Sequence, residues 1–258
     1  MGGILQPLLG IGSITTPEQI TGLQLWYDAT ASNLTNFDPA PTDGGTVQRW
    51  RDKLGNGRNA DQSNANKRPT WQANEQNGQG ALLFNGVDDL LTLNPIGSWA
   101  LSQAGVTMFV VMKATTLSGE RNICQTNTGG YNFYWSTNWG VEVAGGQATS
   151  TIPGDTTNFH ILTSVFDGTK TNGDTTIQNN LRLQFRYDRV QRSLTFNTNV
   201  NTTTSAAATG LNVGADGSVG GANFFAGYLG EMIIYTQTLT PAQVTTVESF
   251  LASKWGLP

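Results

Sequence analysis

Residues 224–256 read FFAGYLGEMIIYTQTLTPAQVTTVESFLASKWG, and this stretch decides the class of fold. Its first half contains a strand-like segment, LGEMIIY (229–235). Its second half is a helix with both ends marked. Thr240 caps, Pro241 opens the first turn and Gln243 completes a capping box. Val244, Val247, Leu251 and Trp255 then fall at helical spacing, and Gly256 stops the run.

Upstream of it the chain is a succession of short strand-like segments. ALLF (81–84), LLTL (90–93), VTMFVVMKA (106–114), YNFYW (131–135), VEVA (141–144), FHILTSVF (159–166), LRLQFRY (181–187), SLTF (193–196) and LNVG (211–214) are separated by Gly, Asn, Asp and Thr clusters. LQLWYDA (23–29) alternates like a half-buried strand, and residues 30–80 read as loop-rich. Strands at this spacing without intervening helical pattern predict an all-β sandwich rather than βαβ units. The expected division is an arm with a short helix over 1–22, followed by one sandwich domain over 23–258.

Composition narrows the function. Of 258 residues only 12% are charged, against roughly 25% in an average domain, and 31 glycines with many Thr and Asn fill the difference. A net charge of −4 excludes a nucleic-acid partner held through phosphates. No apolar run approaches the ~18 residues of a membrane helix. One cysteine (Cys124) and one histidine (His160) exclude a disulfide and the usual zinc sites.

The order LQLWYDA, WRDKLGNGRNA (50–60), ALLFNGVDDLLTL (81–93), VTMFVVMKA and the closing stretch resembles the laminin-G-like branch of concanavalin A-like lectin and glucanase domains, over about residues 23–256. The resemblance implies a two-sheet antiparallel jelly-roll sandwich with a short C-terminal helix and an extended N-terminal arm. Versions of it occur in phage structural proteins and bacterial surface proteins. Retaining glucanases of this fold need a glutamate pair ~5 Å apart, spaced on one face of a strand. None of Glu18, Glu75, Glu120, Glu142, Glu231 and Glu248 stands in such a motif, so no enzyme is expected.

Four groups remain as candidates. Tyr134, Trp139 and Asn138, in GGYNFYWSTNWG, have the composition of a glycan platform, while strand alternation sends Tyr131, Phe133 and Trp135 to one side as core. Asp88 and Asp89 follow Asn85-Gly86; they are candidate calcium ligands, as relatives bind calcium at the sandwich rim, or simply turn residues. Arg182, Gln184 and Arg186 share the polar face of one strand, as a solvated or inter-subunit surface. Ile4, Leu5, Leu8, Leu9 and Ile11 make an apolar arm, either a strap on its own domain or a docking arm for a neighbour.

The expectation drawn from these features is a virion structural protein without catalytic activity, made in the host cytoplasm, self-associating and docked to capsid or tail proteins through its arm. The alternative is a carbohydrate-binding module that recognises surface glycans.

Overall fold

The computed structural model describes residues 16–30, 35–128, 130–218 and 220–258; the arm candidates Ile4, Leu5, Leu8, Leu9 and Ile11 lie outside them. In chain order the strands begin β1 (Leu23–Asp28), β2 (Arg49–Trp50), β3 (Ala60–Asp61), β4 (Thr70–Gln76), β5 (Gln79–Asn85) and β6 (Leu91–Leu93). They continue with β7 (Gly105–Ala114), β8 (Arg121–Thr126), β9 (Tyr131–Trp135), β10 (Trp139–Val143), β11 (Gly146–Thr149) and β12 (His160–Asp167). Helix α1 (Thr175–Arg182) precedes β13 (Leu183–Tyr187), β14 (Val190–Arg192), β15 (Thr195–Phe196), β16 (Leu211–Val213) and β17 (Ala226–Tyr235), and α2 (Pro241–Trp255) closes the series.

Among the described residues these strands form two antiparallel sheets. Sheet A runs β14-β13-β12-β7-β17-β5-β4, with β1 also paired to β17, and sheet B runs β15-β11-β10-β9-β8-β16-β6-β3-β2. The all-β sandwich expected from the sequence is present, and its two layers are compatible with a concanavalin A-like fold.

Sheet A is covered on both sides. Its inner residues, among them Met108, Val110, Met112 and Ile234, meet Phe133, Val141 and Val213 of sheet B in the main core. Its outer residues Trp26, Phe109, Val111 and Ile233 pack against Val244, Val247, Leu251 and Trp255 of α2. Double burial explains why VTMFVVMKA and EMIIY are continuously apolar instead of alternating. Helix α2 has the termini its sequence specifies: Gln243 N–H donates to Thr240 Oγ1 (3.3 Å), Thr240 N–H donates to Gln243 Oε1 (2.9 Å), and Gly256 takes a left-handed φ of 63°.

The helix is also tied down electrostatically. Trp26 and Trp255 donate their indole N–H groups to the two oxygens of buried Glu231 (2.7 and 2.8 Å). Lys254 Nζ lies 2.9 Å from both Glu231 and Asp28, and Lys53 reaches Asp28 at 3.3 Å. Burial, then the Asp28 charge, raises the Glu231 carboxyl. In Asp28 burial pushes the same way, but Lys254, the Thr30 N–H and Lys53 prevail and lower it. A Cβ on Gly230 would sit 2.2 Å from the Trp255 ring, so only glycine admits that ring. Cys124 lies in the main core, its thiol pushed up to about 12 by burial.

Three local expectations are corrected. Residues 70–76, within the stretch read as loop-rich, form β4; polar side chains and Asn74 at φ 55°, with a register shift between Gln72 and Gln76, hide its period. Leu181 and Arg182 end a helix that Asp174 caps by accepting from Ile177 N (3.0 Å). Arg182 is therefore buried, donating to the carbonyls of Lys170 and Val200, and shares no face with Arg186. Arg186 itself is paired within the chain, to Glu248 of α2 at 2.8 and 2.9 Å.

Candidate functional site

Sheet B packs against sheet A on its inner side, while no helix or second sheet covers its outer side among the described residues, so its outward side chains are polar. Register aligns them into one row: Asp61 opposite Thr92, then Asn212, Gln125, Asn132, Glu142 and Gln147, each directly across from the next. At about 4.8 Å per strand the row is roughly 29 Å long.

Its middle is occupied by the chain itself. Residues 214–218 fold over it: Asn212 Nδ2 donates to the carbonyls of Asp216 (2.6 Å) and Ser218 (3.1 Å), and Gly217 N–H donates to Gln125 Oε1 (3.1 Å). Two separate ends remain.

The first end is rich in acceptors. Gln125 donates to Glu142 Oε2 (3.3 Å), and Asn122, whose side chain shares this face, donates to Glu120 Oε1 (3.4 Å). The amide oxygens of Asn122 and Asn132 are buried and have no donor among the described residues. Each such oxygen costs about 1–3 kcal/mol until a donor reaches it. Burial raises the Glu142 carboxyl; the amides of Asn132 and Gln125 pull it back, and the Glu120 charge adds to the rise. Tyr134 borders the patch. Its ring lies across Gly140, where a Cβ would meet Cζ at 2.4 Å, and its hydroxyl donates to Ala148 O (3.1 Å).

The second end opens at the sandwich rim into a cavity of about 400 Å³ bordered by Arg49, Asn56, Arg58, Asn59, Asp61 and Trp99. Arg49 grips Asp61 through Nε (2.6 Å) and Nη2 (3.2 Å). The Arg58 guanidinium lies 4.8 Å above the Trp99 ring, and its Nη1 donates to the Gln24 carbonyl and, at 2.8 Å, to Gln24 Oε1.

The residues singled out from sequence fare differently. Tyr134 does point outward, but it is only 2% exposed because its ring is spread over Gly140. Trp139 is wholly buried: a three-residue turn sets it opposite Trp135, so both indoles face the core, 5.3 Å apart. Neither ring offers a stacking face, which corrects the glycan platform expected there. Asn138 serves its own turn, its amide 3.2 Å from the carbonyls of Thr137 and Ile152.

Asp88 and Asp89 also hold a turn. Asp88 Oδ1 accepts from Asn85 Nδ2 (2.9 Å) and Asp89 Oδ2 from Asn85 N (2.9 Å); burial pushes the Asp89 carboxyl up to about 6. Among the described residues no three Asp, Glu, His or Cys side chains gather as a metal site. His160 is held between Asp188 (2.8 Å) and Asp155 (3.2 Å), a satisfied strand histidine. Asn122, Gln125 and Arg58 were missed, whereas Asn132 belongs to the GGYNFYWSTNWG stretch already singled out. The alternation within YNFYW and VEVA carries a signal for the row, but only cross-strand register joins it.

No family model matches the sequence, and no curated protein does. Solved structures share the fold. Domain 4 of AbnA, an extracellular GH43 arabinanase from Geobacillus stearothermophilus solved with arabinotriose, has a TM-score of 0.56 at 15% identity, over 86% of this chain and 96% of that one. Trypanosoma rangeli sialidase in complex with sialic acid gives 0.58 at 13% over 91% of this chain, and another structure of the enzyme gives 0.59 at 14% over 93%. The likeness is one of fold. The chain spans about a third of the sialidase chains, 33% and 36%.

These neighbours overturn two expectations. They are glycosidases or parts of them and carry no phage link, so the virion reading, with its capsid, tail and tail-fibre associations, is withdrawn. The expectation that the chain is not an enzyme is withdrawn with it.

Proposed function

We propose that this chain is a carbohydrate-binding sandwich of the laminin-G-like, concanavalin A-like kind, serving a glycoside-degrading protein and holding neutral oligosaccharide at the Glu142 end of the polar row. The observation behind this reading is the pair of buried amide oxygens, on Asn122 and Asn132, without donors beside a carboxylate. Sugar hydroxyls are donors of the right kind: Glu142 is part-exposed to them, and a shift of the side chains over the two amide oxygens would let those oxygens be satisfied as well. The arabinotriose bound to the arabinanase domain supports the ligand class.

Calorimetric titration with arabinotriose and a set of neutral oligosaccharides tests the reading. Glu142→Gln keeps the shape and removes the charge-assisted acceptor; it is expected to weaken binding at least tenfold, about 1.4 kcal/mol. Because burial holds the Glu142 carboxyl above its ordinary value, affinity for the intact protein falls as pH drops through that raised range, where the acid form takes over. Absence of binding to every neutral glycan sinks the reading.

A further inference from the structure

We infer that the rim cavity beside Arg58 is a second binding site, which takes the carboxylate of an acidic sugar, a hexuronic acid, in a glycan. The inference rests on the carbohydrate-binding reading for its ligand class and on different residues for its chemistry.

The cavity, about 400 Å³, falls in the range of small-ligand sites. Its two arginines are not equivalent. Arg49 is neutralised by Asp61 at 2.6 Å and by Asp38 at 3.5 Å. Arg58 forms no ion pair among the described residues; Asp52 acts on it only from longer range, and burial itself lowers the guanidinium. A partly buried cation without an anion invites one.

The guanidinium is also oriented. Its Nη1 is spent on Gln24, and its plane is fixed over the Trp99 ring. The Nε–Nη2 edge has no partner among the described residues, and that side-on fork matches the two oxygens of a carboxylate.

The remaining polar groups are suited to a sugar. Trp99 Nε1 is a buried donor without an acceptor among the described residues. Asn59 Oδ1 already accepts from Asp52 N (3.1 Å), which leaves its NH₂ to donate. Donors thus outnumber acceptors here, the reverse of the Glu142 end. A neutral sugar would leave the Arg58 fork unmatched; a uronate fills it and presents hydroxyls to Asp61.

The test is titration of the full chain with trigalacturonate, its methyl ester, acetate and arabinotriose, at low and high salt. Trigalacturonate is expected to bind, to weaken at least fivefold in 0.5 M NaCl, and to lose at least tenfold in affinity on esterification or with Arg58→Gln. Arabinotriose affinity should not change with Arg58→Gln. Arg58→Lys, which keeps the charge without the fork, should fall between; if Arg58→Gln fails to fold, the ester and Arg58→Lys decide alone. Equal binding of acid and ester, or acetate as strong as the uronate, overturns the inference. Uronate binding without arabinotriose binding sinks the Glu142 site alone, and the opposite result sinks this one alone.

Discussion

The two sheets of this sandwich live under different constraints. Sheet A is wrapped on one side by sheet B and on the other by α2, so its central strands are apolar throughout and even its charges, Glu231 and Asp28, are enclosed and paired. Sheet B has a second layer on one side only, and residues 214–218 cross its other side. Its outward side carries amides and carboxylates in register, and two of those amides are left with oxygens that nothing in the described chain satisfies. The first sheet buries apolar side chains on two sides, whereas the donor-less amide oxygens belong to the second.

The strongest way to break this contrast is on the α2 side. Trp255→Ala removes a wholly buried indole and one of the donors to Glu231, and is expected to cost about 3–5 kcal/mol in denaturant unfolding. A cost below about 1 kcal/mol would mean that α2 is an ornament on sheet A. On the other sheet, Asn132→Ala is expected to keep stability within about 1 kcal/mol while sugar affinity drops about tenfold, because it deletes an oxygen that was already unsatisfied. If stability instead collapses and affinity stays, the amide row is structural.

The smallest effect belongs to the turn that passes from β5 in one sheet to β6 in the other. Asp89 titrates near 6 in the fold and near 3.9 when unfolded, so the folded state binds more protons between those values and loses stability as pH rises through them. Asp89→Asn should flatten that dependence and raise stability at pH 7 by about 1 kcal/mol, discounted for partial solvent screening. Thermal melts from pH 3.5 to 7.5 check it. A mutant curve parallel to the parent curve would show that the carboxyl does not titrate in this window.

The central strands of sheet A and helix α2 were the legible part of the sequence. VTMFVVMKA and LGEMIIY announce buried strands by their apolar runs, and Thr240, Pro241, Gln243 and Gly256 bracket α2 at both ends. β4 was not legible, since Asn74 at φ 55° breaks the period on which a strand is recognised. Leu181 was read as a strand residue because α1 is only eight residues long and its cap, Asp174, resembles an ordinary loop aspartate. The site was hidden for a further reason. Alternation predicts that Asn132 and Tyr134 turn outward, yet it cannot reveal that Gly140 lets the Tyr134 ring lie flat, nor that Gln125 stands opposite Asn132 from another strand. Aromatic residues draw the eye as sugar platforms; here the donors and acceptors between them hold the chemistry.

Cys124 gives the molecule an internal reporter. It is the only thiol in 258 residues, and enclosed between the layers it is protonated and out of reach of alkylating reagents. Its labelling rate therefore counts the moments at which the two layers part, without any engineered tag, and a bound sugar that steadies the outer surface of the second layer should slow that clock.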